Sequence, residues 1–309
     1  KLGGFSFVGT EPEFTGYSIH VELDDPTKIP LGRHATPTGN YTQAQPGYFG
    51  LCDFDGGAMH RKPVTAEHAQ ALLRKITGTD VRVKALHLAS TWTDRSMQAT
   101  TYRNGRVLLA GDAAHVHSPL GGQGLNLGLA DAMNLGWKLA ATIHGTAPDG
   151  LLETYTSERH PIGARVLDWT RAQVSVMRPS SRALEAVIRD LVETRDGATY
   201  FAERVWGVTM QYDLGETHPL AGRSCPDFEL VDGTRTGTLL GVGHGLLIDF
   251  DRTLAPIASV KHITSDVKDR LGLSAVLVRP DGFVAWASDS TPSQDAVERA
   301  ASRWFTIAR

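Results

Sequence analysis

Polar and apolar positions change rhythm several times along this chain, and each change predicts a different element. GYSIHVEL (16–23) alternates, and DVRVKALHLASTW (80–92) carries the same period of two over a longer stretch, as half-buried strands do. GYFGLCDF (47–54) is aromatic and apolar, and Gly, Pro and Thr clusters such as ATPTGN separate these runs. TAEHAQALLRKITG (65–78) interrupts the pattern with a short helix, Thr65 placed to cap its start and Gly78 to stop it. Residues 1–105 therefore read as a mixed sheet with one helix.

RVLLA (106–110) is a short continuous apolar run, the mark of a strand buried on both faces. Beyond it Leu125, Leu129, Met133, Gly136, Ala140 and Ile143 recur every three or four residues, which predicts a helix over 124–145 closed by Gly145 ahead of Pro148. Residues 151–177 continue as helix, interrupted or restarted at Pro161, and helical periodicity runs on from Ser181 to about Gln211. GLLIDF (245–250) reads as a buried strand. SAVLVRPDGFVAWAS (274–288) reads as two strands joined by a Pro-Asp-Gly turn, and DAVERAASRWF (295–305) as a closing helix.

Composition removes several classes of function. The 309 residues carry a formal net charge of −3, which leaves no basic footprint for nucleic acid. No run of eighteen apolar residues is present to span a membrane as a helix. Cys52 and Cys225 are too far apart for a CxxC site and too few for a disulfide framework. Thiols this sparse suit a reducing compartment, and a cytoplasmic location is expected.

The densest chemistry lies in GRVLLAGDAAHVHSPLGGQGLN (105–126). Asp112 follows the expected strand at its carboxyl end, where ligands of open α/β sheets bind, and a carboxylate there can accept hydrogen bonds from sugar-like hydroxyls. Gly121, Gly122 and Gly124 remove side chains where backbone must approach a ligand. The helix that starts near Gln123 or Gly124 then aims free N–H groups at whatever sits above the loop.

The full string, GDAAH followed by P-x-x-GQG-x-N and then D-A-x-N-L-x-W-K-L, resembles the second FAD-binding motif of the class A flavoprotein aromatic hydroxylases, which share the para-hydroxybenzoate hydroxylase fold. The resemblance continues through LETYTSERHP (152–161), and the C-terminal part looks like the thioredoxin-like appendage of actinobacterial aromatic polyketide hydroxylases. It implies a chain of mixed α/β and α+β class. Residues 1–104 would form a substrate-binding mixed β-sheet domain and 105–178 the C-terminal part of a Rossmann-like FAD-binding domain. A helical connection over 179–217 would lead to a thioredoxin-like domain lacking CxxC over 218–309. It also implies FAD as cofactor, NAD(P)H as reductant, O2 and an aromatic small molecule as substrates, and hydroxylation through a flavin C4a-hydroperoxide.

Roles transfer only to matching positions. Asp112 would bond the ribityl hydroxyls and help position the pyrophosphate, and Pro119 would lie beside the isoalloxazine ring. Gly122, Gln123, Gly124, Leu125 and Asn126 would present backbone N–H groups to the flavin N1–C2=O edge, with Gly121 completing the loop. Tyr48 and Trp92 on the sheet are candidates to line an aromatic pocket. His117 is a candidate for the substrate or flavin rim, and His115 and His117 lack a third residue to hold a metal. Arg95 and Gln98 lie in a segment resembling the family, without an assigned role. No catalytic acid or base is identified.

The family also carries a G-x-G-x-x-G unit, and these 309 residues contain none. The expectation is that an upstream nucleotide-binding piece is absent, that a separate chain is one way to supply it, and that the 309 residues alone bind FAD weakly. Two other functions fit the same string: Baeyer–Villiger oxygenation of a polyketide ketone, and a non-catalytic binding or assembly module.

Overall fold

A computed structural model of the chain describes residues 3–57, 63–240 and 243–306. Seven strands and one helix come first: β1 (Phe7–Thr10), β2 (Thr15–Leu23), β3 (Gly32–Thr36), β4 (Gly39–Gln45), β5 (Tyr48–Asp53), α1 (Ala66–Thr77), β6 (Val83–Thr93) and β7 (Ser96–Ala99). A hairpin of β8 (Arg103–Asn104) and β9 (Val107–Leu108) follows, then β10 (His115–Val116), α2 (Gly124–Ile143), α3 (Thr154–Met177), α4 (Arg182–Glu193) and α5 (Arg195–Trp206). The C-terminal part holds α6 (Thr236–Leu239), β11 (Gly245–Asp249), β12 (Val260–Ile263), β13 (Ala275–Val278), β14 (Val284–Ser288) and α7 (Gln294–Ser302).

The chain divides into two compact units, one of residues 1–100, 111–125 and 163–201, the other of 101–110, 126–162 and 202–309. In the first unit, an antiparallel sheet of order β3-β4-β5-β2-β6 buries one face against α1. Alternation explains which face: Tyr17, Ile19, Val21 and Leu23 of β2 meet Ala69, Leu72, Leu73 and Ile76 of α1. The helix has the predicted ends. The Thr65 hydroxyl accepts from the His68 amide at 3.2 Å, and Gly78 closes it at φ 69° in the left-handed region. A second, three-stranded sheet of order β1-β7-β10 leads the chain into the glycine loop.

Residues 106–110 do not form the expected buried strand. Only Val107 and Leu108 are extended, paired with Arg103 and Asn104, and Val107 is 48% exposed. A strand buried on both faces needs neighbours on both edges, and β8 is the only strand that pairs with β9 among the described residues.

Helix α2 forms as expected, with Gly145 in the left-handed region just past its end. Its apolar stripe (Leu125, Leu129, Met133, Gly136, Ala140 and Ile143) is exposed at every position, whereas Leu127, Asp131, Asn134 and Lys138 are buried. An apolar stripe ordinarily turns inward. The polar face is buried because oppositely charged residues elsewhere in the second unit answer it. Helix α3 runs unbroken through Pro161, not restarting there. The helical region after Ser181 breaks at Thr194 into α4 and α5.

In the C-terminal sheet β11 and β12 are parallel, β13 and β14 antiparallel, and the order is β12-β11-β13-β14 with α7 following. That is a thioredoxin-like arrangement in which residues 250–259, without helix, make the first crossover. Its β11 is buried throughout, as a central strand should be.

Candidate functional site

Strand register defines the site. The face of the first unit's sheet opposite α1 aligns Gly16 with both Cys52 and Trp92, Ser18 with Gly50 and Ser90, and His20 with Tyr48. On the next strand Asn40 faces Cys52 and Thr42 faces Gly50, and Arg33 of β3 lies beside Thr42. A cavity of about 50 Å³ opens on this face, lined by Arg33, Asn40, Gly50, Cys52, Trp92 and, from the glycine loop, Leu120. Trp92 lies across the strand pair, where a Cβ on Gly16 would come within 2.3 Å of the indole. The sequence-predicted Trp92 therefore lines the cavity. Tyr48 does not; it stacks on His20 with centroids 3.8 Å apart, farther along the same face.

The loop over 111–125 consists of two single 3-10 turns joined by β10. Asp112 sits in the first, Gly111–Ala113, exposed and with no hydrogen bond or ion pair among the described residues. The second, Pro119–Gly121, is capped by the Ser118 hydroxyl and closed by Gly122 at φ 64°. The loop's glycines differ in purpose. A Cβ on Gly121 would sit 2.5 Å from Gln173 Oε1, the movable end of its side chain, and 3.2 Å from Thr170, so the position is tight. Nothing lies within 4 Å of the corresponding position at Gly122, and at Gly124 only the His117 ring comes near, at 3.4 Å. Open space over Gly122, an exposed accepting carboxylate at Asp112 and a first turn of α2 with no acidic side chain fit a polyol chain and an electron-rich ring edge. Gln123 is half-buried, and Leu125 and Asn126 are exposed on the first turn of α2.

His117 is half-buried, with Nδ1 2.9 Å from the Ser118 carbonyl oxygen, and burial holds its pKa below the usual imidazole value. His115 is buried in β10. Arg95 forms an exposed ion pair with Glu11, and Gln98 is buried in β7 opposite His115. Burial pushes the Cys52 thiol up to about 12, against the opposing pull of Arg33, and the Cys225 thiol likewise up to about 12. Both are inert as nucleophiles at neutral pH.

The polar letters of the D-A-x-N-L-x-W-K-L string serve a different purpose. In the second unit Asp131 accepts from Arg159 Nε at 2.7 Å, and Arg159 also donates to the Leu127 carbonyl at 3.1 Å and to the Tyr212 hydroxyl at 3.2 Å. Asn134 donates to Glu158, and Lys138 pairs with Glu158 at 3.0 Å. Glu158 in turn receives two bonds from Arg279 of the thioredoxin-like part, at 2.9 and 2.8 Å, and Arg279 also pairs with Asp281. Three cations meet three carboxylates, and Arg159 and Arg279 have no exposed surface. Burial pulls the Lys138 pKa down to about 8 although Glu158 opposes it. Burial alone would raise the Glu158 pKa, but Arg279 and Lys138 hold it below the ordinary glutamate value. Sequence reasoning missed this cluster. Its one visible signal was three polar residues at helical spacing inside an otherwise apolar helix.

Residues 9–170 match the family model described as FAD binding domain, and 218–308 match that of the aromatic-ring hydroxylase C-terminal domain. The chain therefore belongs to the FAD-binding family that contains the aromatic-ring hydroxylases. A Claviceps purpurea protein named "Monoogygenase" is 43% identical over 99% of this chain and 63% of its own length. A rifampicin monooxygenase of Streptomyces venezuelae is 43% identical over 79% of this chain and 51% of its own. Among solved structures, an anhydrotetracycline hydroxylase from Streptomyces rimosus superposes with a TM-score of 0.87 at 35% identity, covering 99% of this chain and 67% of that one. The chain thus spans about half to two-thirds of the length of the curated relatives it matches. No helix among the described residues is long and apolar enough to cross a membrane.

Proposed function

We propose that this chain carries the ring-facing part of an FAD-dependent monooxygenase that hydroxylates an aromatic polyketide or related phenol, with NAD(P)H as reductant and O2 as co-substrate. One observation carries the reading: Leu120, from the glycine loop, lines the same cavity as Trp92, Asn40 and Gly50 of the sheet. An aromatic edge held there lies next to the loop that the family uses for its flavin. Bound FAD supplies the activation of O2 for transfer of one oxygen atom.

The chain's own residues bind and orient. Asp112 accepts hydrogen bonds from the ribityl hydroxyls, Pro119 sits beside the ring, and Gly121 keeps the loop in register with Gln173. The backbone from Gly122 through Gln123, Gly124 and Leu125 to Asn126 offers N–H groups to the pyrimidine edge. The dipole end of α2 favours negative charge there by roughly 0.3–1 kcal/mol. Trp92 and Leu120 keep water from the reacting face, His117 borders it uncharged, and Tyr48 is a contact for rings that extend beyond the cavity.

The two free thiols support a cytoplasmic location. The adenosine end of FAD is held by residues outside these 309, on a companion chain or on a longer polypeptide. The greater length of the matched relatives supports this.

The test supplies the purified protein with FAD, NADPH, O2 and a polycyclic phenol. A product heavier by one oxygen, with a new ring hydroxyl in its NMR spectrum, is the expected result. A lactone assigns Baeyer–Villiger chemistry instead. Bound flavin without any oxygenated product overturns the oxygenase reading and leaves a binding module.

A further inference from the structure

A turn between two strands ordinarily lies at the surface, where water satisfies its polar groups. The Arg-Pro-Asp-Gly turn between β13 and β14 does the opposite: Arg279 has no exposed surface, and Asp281 is 8% exposed. Arg279 reaches out of the thioredoxin-like part and holds Glu158 of α3 with both terminal nitrogens, at 2.9 and 2.8 Å, while its Nε donates to Asp281. Glu158 carries the contact on to α2, to Asn134 at 2.7 Å and Lys138 at 3.0 Å. Two more ties run from the C-terminal part to the same helix. The Phe305 ring lies 6.4 Å from that of Trp137, and the Thr306 hydroxyl donates to the Thr146 carbonyl, just past α2, at 2.8 Å. All of these residues belong to the second unit.

Redox chemistry does not account for this part of the chain. Its one cysteine, Cys225, has a thiol that burial pushes up to about 12, and no second thiol stands near it in sequence. What it does supply is a forked cation on a carboxylate, a contact that fixes orientation as well as distance. Orientation matters because α2 is one continuous helix from Gly124 to Ile143. Arg159 holds it near its start, through the Leu127 carbonyl and Asp131, and Glu158 holds it farther along. Two anchors define an axis, and one leaves a pivot. With the Glu158 anchor released the helix turns about Asp131, about 10 Å from Gly124 at 1.5 Å per residue. A tilt of about 6° then moves the first turn by roughly 1 Å, enough to cost about a hundredfold in a reaction that depends on alignment.

We propose that the thioredoxin-like part is a positioning clamp for α2: Arg279, acting through Glu158, fixes the axis of this helix and with it the aim of its N-terminal amides. The proposal rests on the reading that those amides face the flavin. Arg279 itself touches no ligand; it is a positioning residue, and it gives a redox-silent appendage a duty in cofactor binding.

The test uses the full chain and two readouts, backbone hydrogen exchange by mass spectrometry and fluorescence titration with FAD. Arg279→Met/Glu158→Gln removes one charge of each sign at similar volume, which separates loss of the clamp from the effect of a stranded buried charge. In this variant the α2 amides should exchange about tenfold faster while β11 and α1 keep their wild-type rates, and FAD should bind about tenfold more weakly. Arg279→Lys, which keeps the charge and loses the fork, should restore part of both. Wild-type exchange of α2 in the double variant overturns the proposal. So does faster exchange spread equally over α2, β11 and α1, which marks general loosening, and so does an Arg279→Lys protein no better than the double variant. Selective loosening of α2 with unchanged FAD affinity upholds the clamp and sinks the reading that the helix end faces the flavin. Weaker FAD binding with α2 exchange unchanged sinks the clamp alone.

Discussion

Arg279 and Arg33 both border tryptophan-bearing surfaces, and they differ in what answers their charge. Arg279, in the second unit, has no exposed surface, lies 4.5 Å from the Trp304 ring centroid and is paired with Glu158 and Asp281. Arg33, in the first unit, is exposed and lines a cavity with Trp92 that no carboxylate lines among the described residues. Burying a charge is tolerated only where partners and hydrogen bonds replace water, so a fully answered guanidinium belongs to the architecture. A guanidinium left for water to answer is available to a ligand.

The largest effect expected from this contrast is at Arg279. Arg279→Ala strands Glu158 and Asp281 in the interior and costs about 3–5 kcal/mol in urea unfolding. An Arg279→Met/Glu158→Gln double variant should recover part of that loss. If the single variant costs under about 1 kcal/mol, the cluster is not an architectural lock.

The two neighbouring loop glycines sharpen the comparison on a smaller scale. Gly121→Ala displaces the end of the Gln173 side chain and presses lightly on Thr170, so it should cost under about 1 kcal/mol. Gly122→Ala meets no atom and carries only its left-handed backbone strain, about 1 kcal/mol. A larger loss for Gly121→Ala than for Gly122→Ala in thermal melts would show that Gln173 is held in place and cannot move aside.

Acid should expose the cluster as well. The Glu158 pKa is held below its ordinary value of 4.5, so its ion pairs stabilise the fold fully above that pH and fade as pH falls through the lowered folded value. The gap in melting temperature between wild type and Glu158→Gln should be widest near neutrality and close below about pH 4.5. A gap that stays constant to pH 3 would contradict this. Least affected of all, Arg33→Gln and Asp112→Ala should each leave unfolding free energy within about 0.5 kcal/mol. Asp112→Ala should nevertheless lower flavin affinity in a fluorescence titration, and a stability loss there would show that Asp112 has a structural duty.

Much of the first unit was legible before any coordinates. Thr65 and Gly78 bracket α1 as a cap and a left-handed stop should, and the alternation of 16–23 correctly assigns which residues meet the helix. The glycine loop was legible too, through a string whose spacing identifies its family. One feature misled. RVLLA is apolar enough for a central strand, but a strand exists only where other strands pair with it, and pairing is not a local property. The stripe on α2 correctly marks a helix, but the burial of Asp131, Asn134 and Lys138 on its other side was not legible, because Arg159, Glu158 and Arg279, which answer them, lie far along the chain.

Local chemistry along the sequence determined the family, the loop and the caps, because these depend on residue type at short spacing. Tertiary structure alone decided that Asn40 Oδ1 is buried without a donor among the described residues and that Asp131, Asn134 and Lys138 are interior residues. The physical reason is the same in each case: whether a polar group is satisfied depends on what the rest of the chain brings to it, and no local pattern records that encounter.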